Sequence, residues 1–190
     1  MADRCYLYAT DHLPGSREWE QQRQLQGIGE WSLDIPLTFQ LLMSGDPIPV
    51  RSSIWNSEEN IALAGEARAG LKSLTAYLAL LPRTAAPLVS QTTEFFLRPE
   101  NCRRYFVLEC GEIFDLRGKN LAAQNNELLK AIRKLSLDIA SIPVPDPDAA
   151  RELLITPFSR RSTDPLDNFY PLGLGNWSSI LYYQFGENEA

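Results

Sequence analysis

The sequence predicts one α+β domain: a mainly antiparallel sheet covered by two long amphipathic helices and shorter ones. Three observations carry this expectation. Short aromatic and β-branched runs lie near both ends and at 103–116. Two long segments, 57–81 and 118–139, repeat apolar residues at the helical period. Neither a repeat nor a linker long enough to separate two folding units interrupts the 190 residues, so positions 1–190 read as a single globular domain.

Taken in order, Arg4 to Thr10 is an apolar run before the Pro14-Gly15 turn signal and reads as a strand, with Tyr6 and Tyr8 on one face and Cys5 and Leu7 on the other. The polar stretch 16–26, anchored by Trp19 and Leu25, suits a short surface helix or an ordered loop, and Gly27 and Gly29 loosen the chain ahead of Trp31. A helix is expected to start at Asp34-Ile35-Pro36-Leu37, because proline in a first turn sacrifices no intrahelical hydrogen bond, and to end at Gly45. After the turn-rich 46–49, Ser57 signals the start of a long helix that Pro82 closes, with Ala64, Ala67, Leu71, Leu74, Leu78 and Leu81 on its buried face. Its small residues, Gly65 and Gly70 among them, would let another backbone come close.

A further helix is expected from Pro87 to Leu97, and Arg103 to Leu116 reads as two strands about a turn at Cys110-Gly111. In that hairpin Tyr105, Val107 and Glu109 share one face, and Phe106, Leu108 and Cys110 the other. The second long helix carries Leu121, Asn125, Leu128, Ile132, Leu135 and Ile139 inward, with Lys119, Glu127, Lys130 and Lys134 outward. Residues 142–148 are dense in proline and read as extended, with Asp148 placed to cap a short helix through Leu154. Trp177 to Phe185 reads as a last strand, expected to pair with the first.

Composition narrows function. Hydrophobic residues are 44% of the chain, enough for a core without disulfides. Lys and Arg number 18 against 24 Asp and Glu, a net charge of −6, so a nucleic-acid backbone would be repelled. The compact basic stretches, Lys130 to Lys134 and Ser159 to Arg161, have carboxylates nearby. A basic protein surface is the better-matched partner, although acidity also serves solubility. The N-terminus lacks the layout of a secretory signal and the three cysteines lack metal or redox spacing, so we expect reduced thiols in a cytoplasmic protein. Glu66, Arg68 and Lys72 interrupt the most apolar stretch, so no membrane span is expected.

No catalytic, cofactor or metal constellation emerges. The single histidine, His12, would need a distant nucleophile to fold back to it. Gly27-Ile28-Gly29 and Gly173-Leu174-Gly175 lack the third glycine of a dinucleotide loop. Two carboxylate groups stand out, Glu109, Glu112 and Asp115 around the predicted hairpin turn and Asp146, Asp148 and Glu152 around the proline-dense loop. They read as solvated surface acids, as a partner-binding patch, or as acid/base groups of a hydrolase or transferase.

Arg4-x-Tyr6-Leu7-Tyr8, followed by Trp31-x-x-Asp34-Ile35-Pro36-Leu37, is similar to the N-terminal region of a group of bacterial proteins that resemble immunity proteins of contact-dependent or type VI secreted toxins. The match spans the first quarter of the chain. The resemblance implies a cytoplasmic, non-enzymatic inhibitor that binds a cognate toxin domain directly. An acidic surface would steer a basic toxin toward it, with the two carboxylate groups as contact candidates. An adaptor of a secretion system is the third reading.

Overall fold

The computed structural model describes residues 3–118, 120–141 and 165–183, and the backbone alone at 136–141, 165 and 168. Asp146, Asp148, Glu152, Lys119, the proline-dense 142–148 and the end of the predicted last strand lie outside the described residues. The fold is α+β, as its sequence predicts. Five strands, β1 (Arg4–Thr10), β2 (Gln26–Ser32), β3 (Ile48–Val50), β4 (Ala62–Glu66) and β5 (Tyr105–Glu109), form one antiparallel sheet in the order β2-β1-β5-β4-β3.

The helices are α1 (Arg17–Gln21), α2 (Leu37–Leu42), α3 (Ala67–Leu80), α4 (Ala86–Phe96), α5 (Gly111–Leu116) and α6 (Leu121–Ser141). One sheet face, bearing Cys5, Leu7, Ile28, Leu63, Phe106 and Leu108, packs with Phe39, Leu74, Phe95 and Ile132 of the helices into the main core. The other face carries a smaller cluster in which Tyr8, Ala62, Ala64 and Val107 meet Trp19 of α1. The alternation predicted for 105–110 holds, since Val107 belongs to this second cluster and Phe106, Leu108 and Cys110 to the first.

Three expectations about elements are corrected. The helix predicted from Ser57 begins at Ala67, and its first part is the central strand β4. Ile61 to Gly65 are buried on both sheet faces, so they lack the alternation that would have distinguished a strand from a helix. Glu66 ends the strand and caps the helix, its carboxylate accepting the Ala69 amide at 2.9 Å. The hairpin predicted at 103–116 is a single strand that runs into α5.

Among the described residues of the predicted last strand, Trp177 alone bridges to the sheet, at Gly29, and none pairs with β1. Both edges of β1 are taken, by β2 and β5. The tail instead crosses β2 and disperses its apolar groups. Trp177 stacks on Phe95 and meets Phe96 edge-on while its indole N–H donates to Thr92 Oγ1 at 2.8 Å, and Leu181 packs against the second cluster.

The remaining helices follow the sequence closely. On α6, Asn125 and Ile132 are buried while Glu127, Lys130 and Lys134 are exposed. Asn125 is satisfied in the interior because its amide donates to the carbonyls of Asn60 and Ala62, both at 3.0 Å. The small residues of α3 admit α2 at close range: a Cβ on Gly70 would overlap the Leu42 carbonyl.

Candidate functional site

Glu109 stands at the end of β5 on the second sheet face, where a strand residue pointing into packed neighbours must find partners for its charge. It is 1% exposed. The partners come from the segment after β3. Ser52 Oγ donates to one carboxylate oxygen at 2.7 Å, and the Ser53 amide and hydroxyl donate to the other at 2.7 and 2.8 Å. Ser52 Oγ also accepts the amides of Ile54 and Trp55, which folds this segment into a tight turn. The Tyr8 hydroxyl lies 2.8 Å from Ser53 Oγ, and because Ser53 gives its one hydroxyl proton to Glu109, Tyr8 is the donor. Burial raises the Glu109 carboxyl above its ordinary value, against the pull of the serine donors. Burial, then the Glu109 charge, holds the Tyr8 phenol well above its own.

The turn roofs a polar cleft of about 720 Å³ between α1 and residues 51–57, lined by Trp19, Glu20, Arg23, Arg51, Trp55 and Asn56 among others. Trp55 lies over the start of α5, in the space a side chain at Gly111 would need. Arg23 sits over the Trp19 ring, 5.5 Å from its centre.

Glu112 is half-buried and also fully engaged, accepting the Arg4 amide at 2.9 Å and the Tyr6 hydroxyl at 3.0 Å. Asp115 is exposed. The three acids predicted as one patch around a turn are therefore split: Glu109 is a buried latch, Glu112 ties α5 to β1, and Asp115 alone faces solvent. All four oxygens of Glu109 and Glu112 carry donors.

At the far end of α5 lies a second concavity, an apolar groove of about 680 Å³ lined by Trp31, Leu33, Asp34, Arg117, Asp167, Tyr170 and Pro171. Leu33 is 62% exposed and has φ +67°, a left-handed conformation rare for a non-glycine residue. Its amide donates to the Asp3 carbonyl at 2.8 Å, extending the β1–β2 ladder and fixing the backbone in place. Asp34 and Arg117, 4.0 Å apart and both exposed, stand at the rim.

Of the other residues that invited a chemical reading, His12 makes no side-chain hydrogen bond among the described residues, and Cys5, Cys102 and Cys110 are free thiols, the first and last buried. Among the described residues no group of three or more His, Cys, Asp or Glu is placed to hold a metal ion, and no helix is long and apolar enough to cross a membrane.

Residues 11–143 match the family described as Domain of unknown function (DUF7822). The chain belongs to that family. No curated protein and no solved structure matches it. The DUF7822 span holds every residue of the polar cleft together with Glu109, and from the apolar groove it holds Trp31, Leu33, Asp34 and Arg117.

Neither concavity was legible in the sequence. Arg23, Arg51 and the two serines sit in irregular segments without periodicity, and Leu33 carries no local signal of its positive φ. One clue was available for the cleft: a carboxylate at Glu109, on the same strand face as Val107, implies donors arriving from elsewhere.

Proposed function

We propose that this protein works by binding, as a cytoplasmic immunity protein that neutralises a cognate bacterial toxin domain by direct contact at the apolar groove. One observation carries the binding half of this reading. Leu33 combines an unfavourable backbone conformation, worth about 1–2 kcal/mol for an ordinary residue, with a large apolar side chain left in water. The conformation costs stability and the exposed side chain gains little from burial, and strain of this kind collects where a surface has a task.

The partner suited to the groove presents an apolar side chain next to basic ones. Trp31, Leu33, Tyr170 and Pro171 supply apolar walls and the Asp34–Arg117 pair a charged rim, and the chain's net charge of −6 favours a basic partner. The toxin identity of that partner rests on the N-terminal resemblance. Asp115, exposed two residues before Arg117, is the member of the predicted contact set that suits this surface.

Co-expression tests the reading. The toxin domain encoded beside this gene is produced in a susceptible host with and without the chain, and the two are then purified together. Restored growth with a stable complex is expected. A gene neighbourhood without a secreted toxin, or killing that the chain leaves unchanged, contradicts it.

A further inference from the structure

The polar cleft stands apart from the apolar groove, and the observations on it do not depend on the toxin reading. Its acceptors are turned inward: the hydroxyls of Ser52 and Ser53 and both oxygens of Glu109 are bonded to one another. Its donors are not. Among the described residues neither Arg23 nor Arg51 pairs with a carboxylate, and the Arg51 side chain makes no hydrogen bond.

Both arginines are exposed, and each lies along a neighbour rather than in an ion pair. Arg23 lies on the Trp19 ring. Arg51 runs along Gly15, where a side chain would bring a Cβ to 3.0 Å from Arg51 Cδ and where φ is +81°. A glycine is needed there both for the turn and for the approach of the arginine stem. Arg23 and Arg51 thus border a concavity of about 720 Å³ without a carboxylate partner among the described residues, within the span of about 300–1,000 Å³ common for small-molecule sites.

We propose that this cleft binds a small phosphorylated molecule, with Arg23 and Arg51 taking its phosphate monoester group and Trp55 bordering the remainder. Two guanidinium groups match a phosphate monoester, which carries a charge of about −1.5 to −2 at neutral pH, and whose oxygens accept the paired N–H groups of each arginine. A carboxylate offers one charge and a single edge for the same donors. Glu20 also borders the cleft and offsets part of this charge, a cost that is larger for a dianion than for a monoanion, so the preference rests on the two guanidinium groups acting together. Glu109 lies beneath the serines, its oxygens turned toward them, so it does not occupy the arginines.

Calorimetric titration of the full chain at low salt tests the site, using inorganic phosphate and adenosine monophosphate, with acetate as the monoanionic comparison. Saturable binding is expected for phosphate and for the nucleotide, weaker or none for acetate. Arg23→Gln and Arg51→Gln should each weaken binding by about tenfold, and the double variant should abolish it. Arg68→Gln, exposed on α3, should bind as wild type, and melting curves confirm that each variant is folded. The assignment is overturned if neither phosphate compound binds saturably, if acetate binds as well as phosphate, or if the folded double variant binds unchanged.

Discussion

Ser53 gives both its amide and its hydroxyl to the same oxygen of Glu109, at 2.7 and 2.8 Å, and so fastens the turn after β3 to the end of β5. The relationship makes Glu109 a structural acceptor. Glu109→Ala should cost about 2–4 kcal/mol at pH 7, because it strands donors and opens a void. Glu109→Gln, which keeps the shape and one acceptor, should cost less. Urea denaturation measures both, and an alanine variant within about 0.5 kcal/mol of wild type would show that the latch holds nothing.

The raised Glu109 carboxyl gives stability a pH dependence of definite sign. The folded state takes up a proton at higher pH than the unfolded chain does, so the Glu109 contribution grows as pH falls from neutrality through the raised folded-state value. It levels off below the ordinary carboxylate range. Subtracting the melting-temperature profile of Glu109→Gln from that of wild type isolates this contribution from the other acids. The difference should favour wild type increasingly toward mildly acid pH, and the opposite slope would mean that the serine donors outweigh burial.

Gly70 offers a test of the α2–α3 contact in which two effects compete. Alanine would improve helix propensity by about 1 kcal/mol, yet its Cβ would overlap the Leu42 carbonyl. Overlap with backbone cannot be relieved by a rotamer change, so Gly70→Ala should lose about 2 kcal/mol or more net. Gly118, with φ +63° and no atom within 4 Å of the place an added methyl would take, isolates the conformational cost alone. There Gly118→Ala should lose about 1 kcal/mol. Equal effects at the two sites in chemical denaturation would argue against the close approach of α2 and α3.

How far the sequence could be read depended on whether local pattern or tertiary placement decided each element. Helices α4 and α6 were legible because one face of each is buried and the other wet, as Ile132 against Lys130 and Lys134 illustrates. Strand β4 was hidden because burial on both faces erased its alternation. Strand β2 was hidden because Gly27 and Gly29 resemble a loop. The missing side chain at Gly27 leaves room for the Ser179 carbonyl, so the tail can lie across the sheet edge. Trp177 to Tyr183 has the composition of a strand, but its large side chains serve three separate places: Trp177 the aromatic group with Phe95 and Phe96, Leu181 the second cluster, and Tyr183 the ring of Tyr6. For the candidate sites, Glu109 was picked out for its charge, while its burial and its serine partners depend on a loop 56 residues away.

Leu33 tests the central claim most directly, since a residue kept for binding and a residue kept for folding respond oppositely to the same change. Asparagine tolerates the left-handed conformation better than leucine and removes the exposed apolar surface. The decisive measurement is the dissociation constant of the toxin domain encoded beside this gene for wild type and Leu33→Asn, taken with the unfolding free energy of each. A binding role for Leu33 predicts affinity weakened by about tenfold or more with stability unchanged or raised. Unchanged affinity, or stability lowered by more than about 1 kcal/mol, would contradict it.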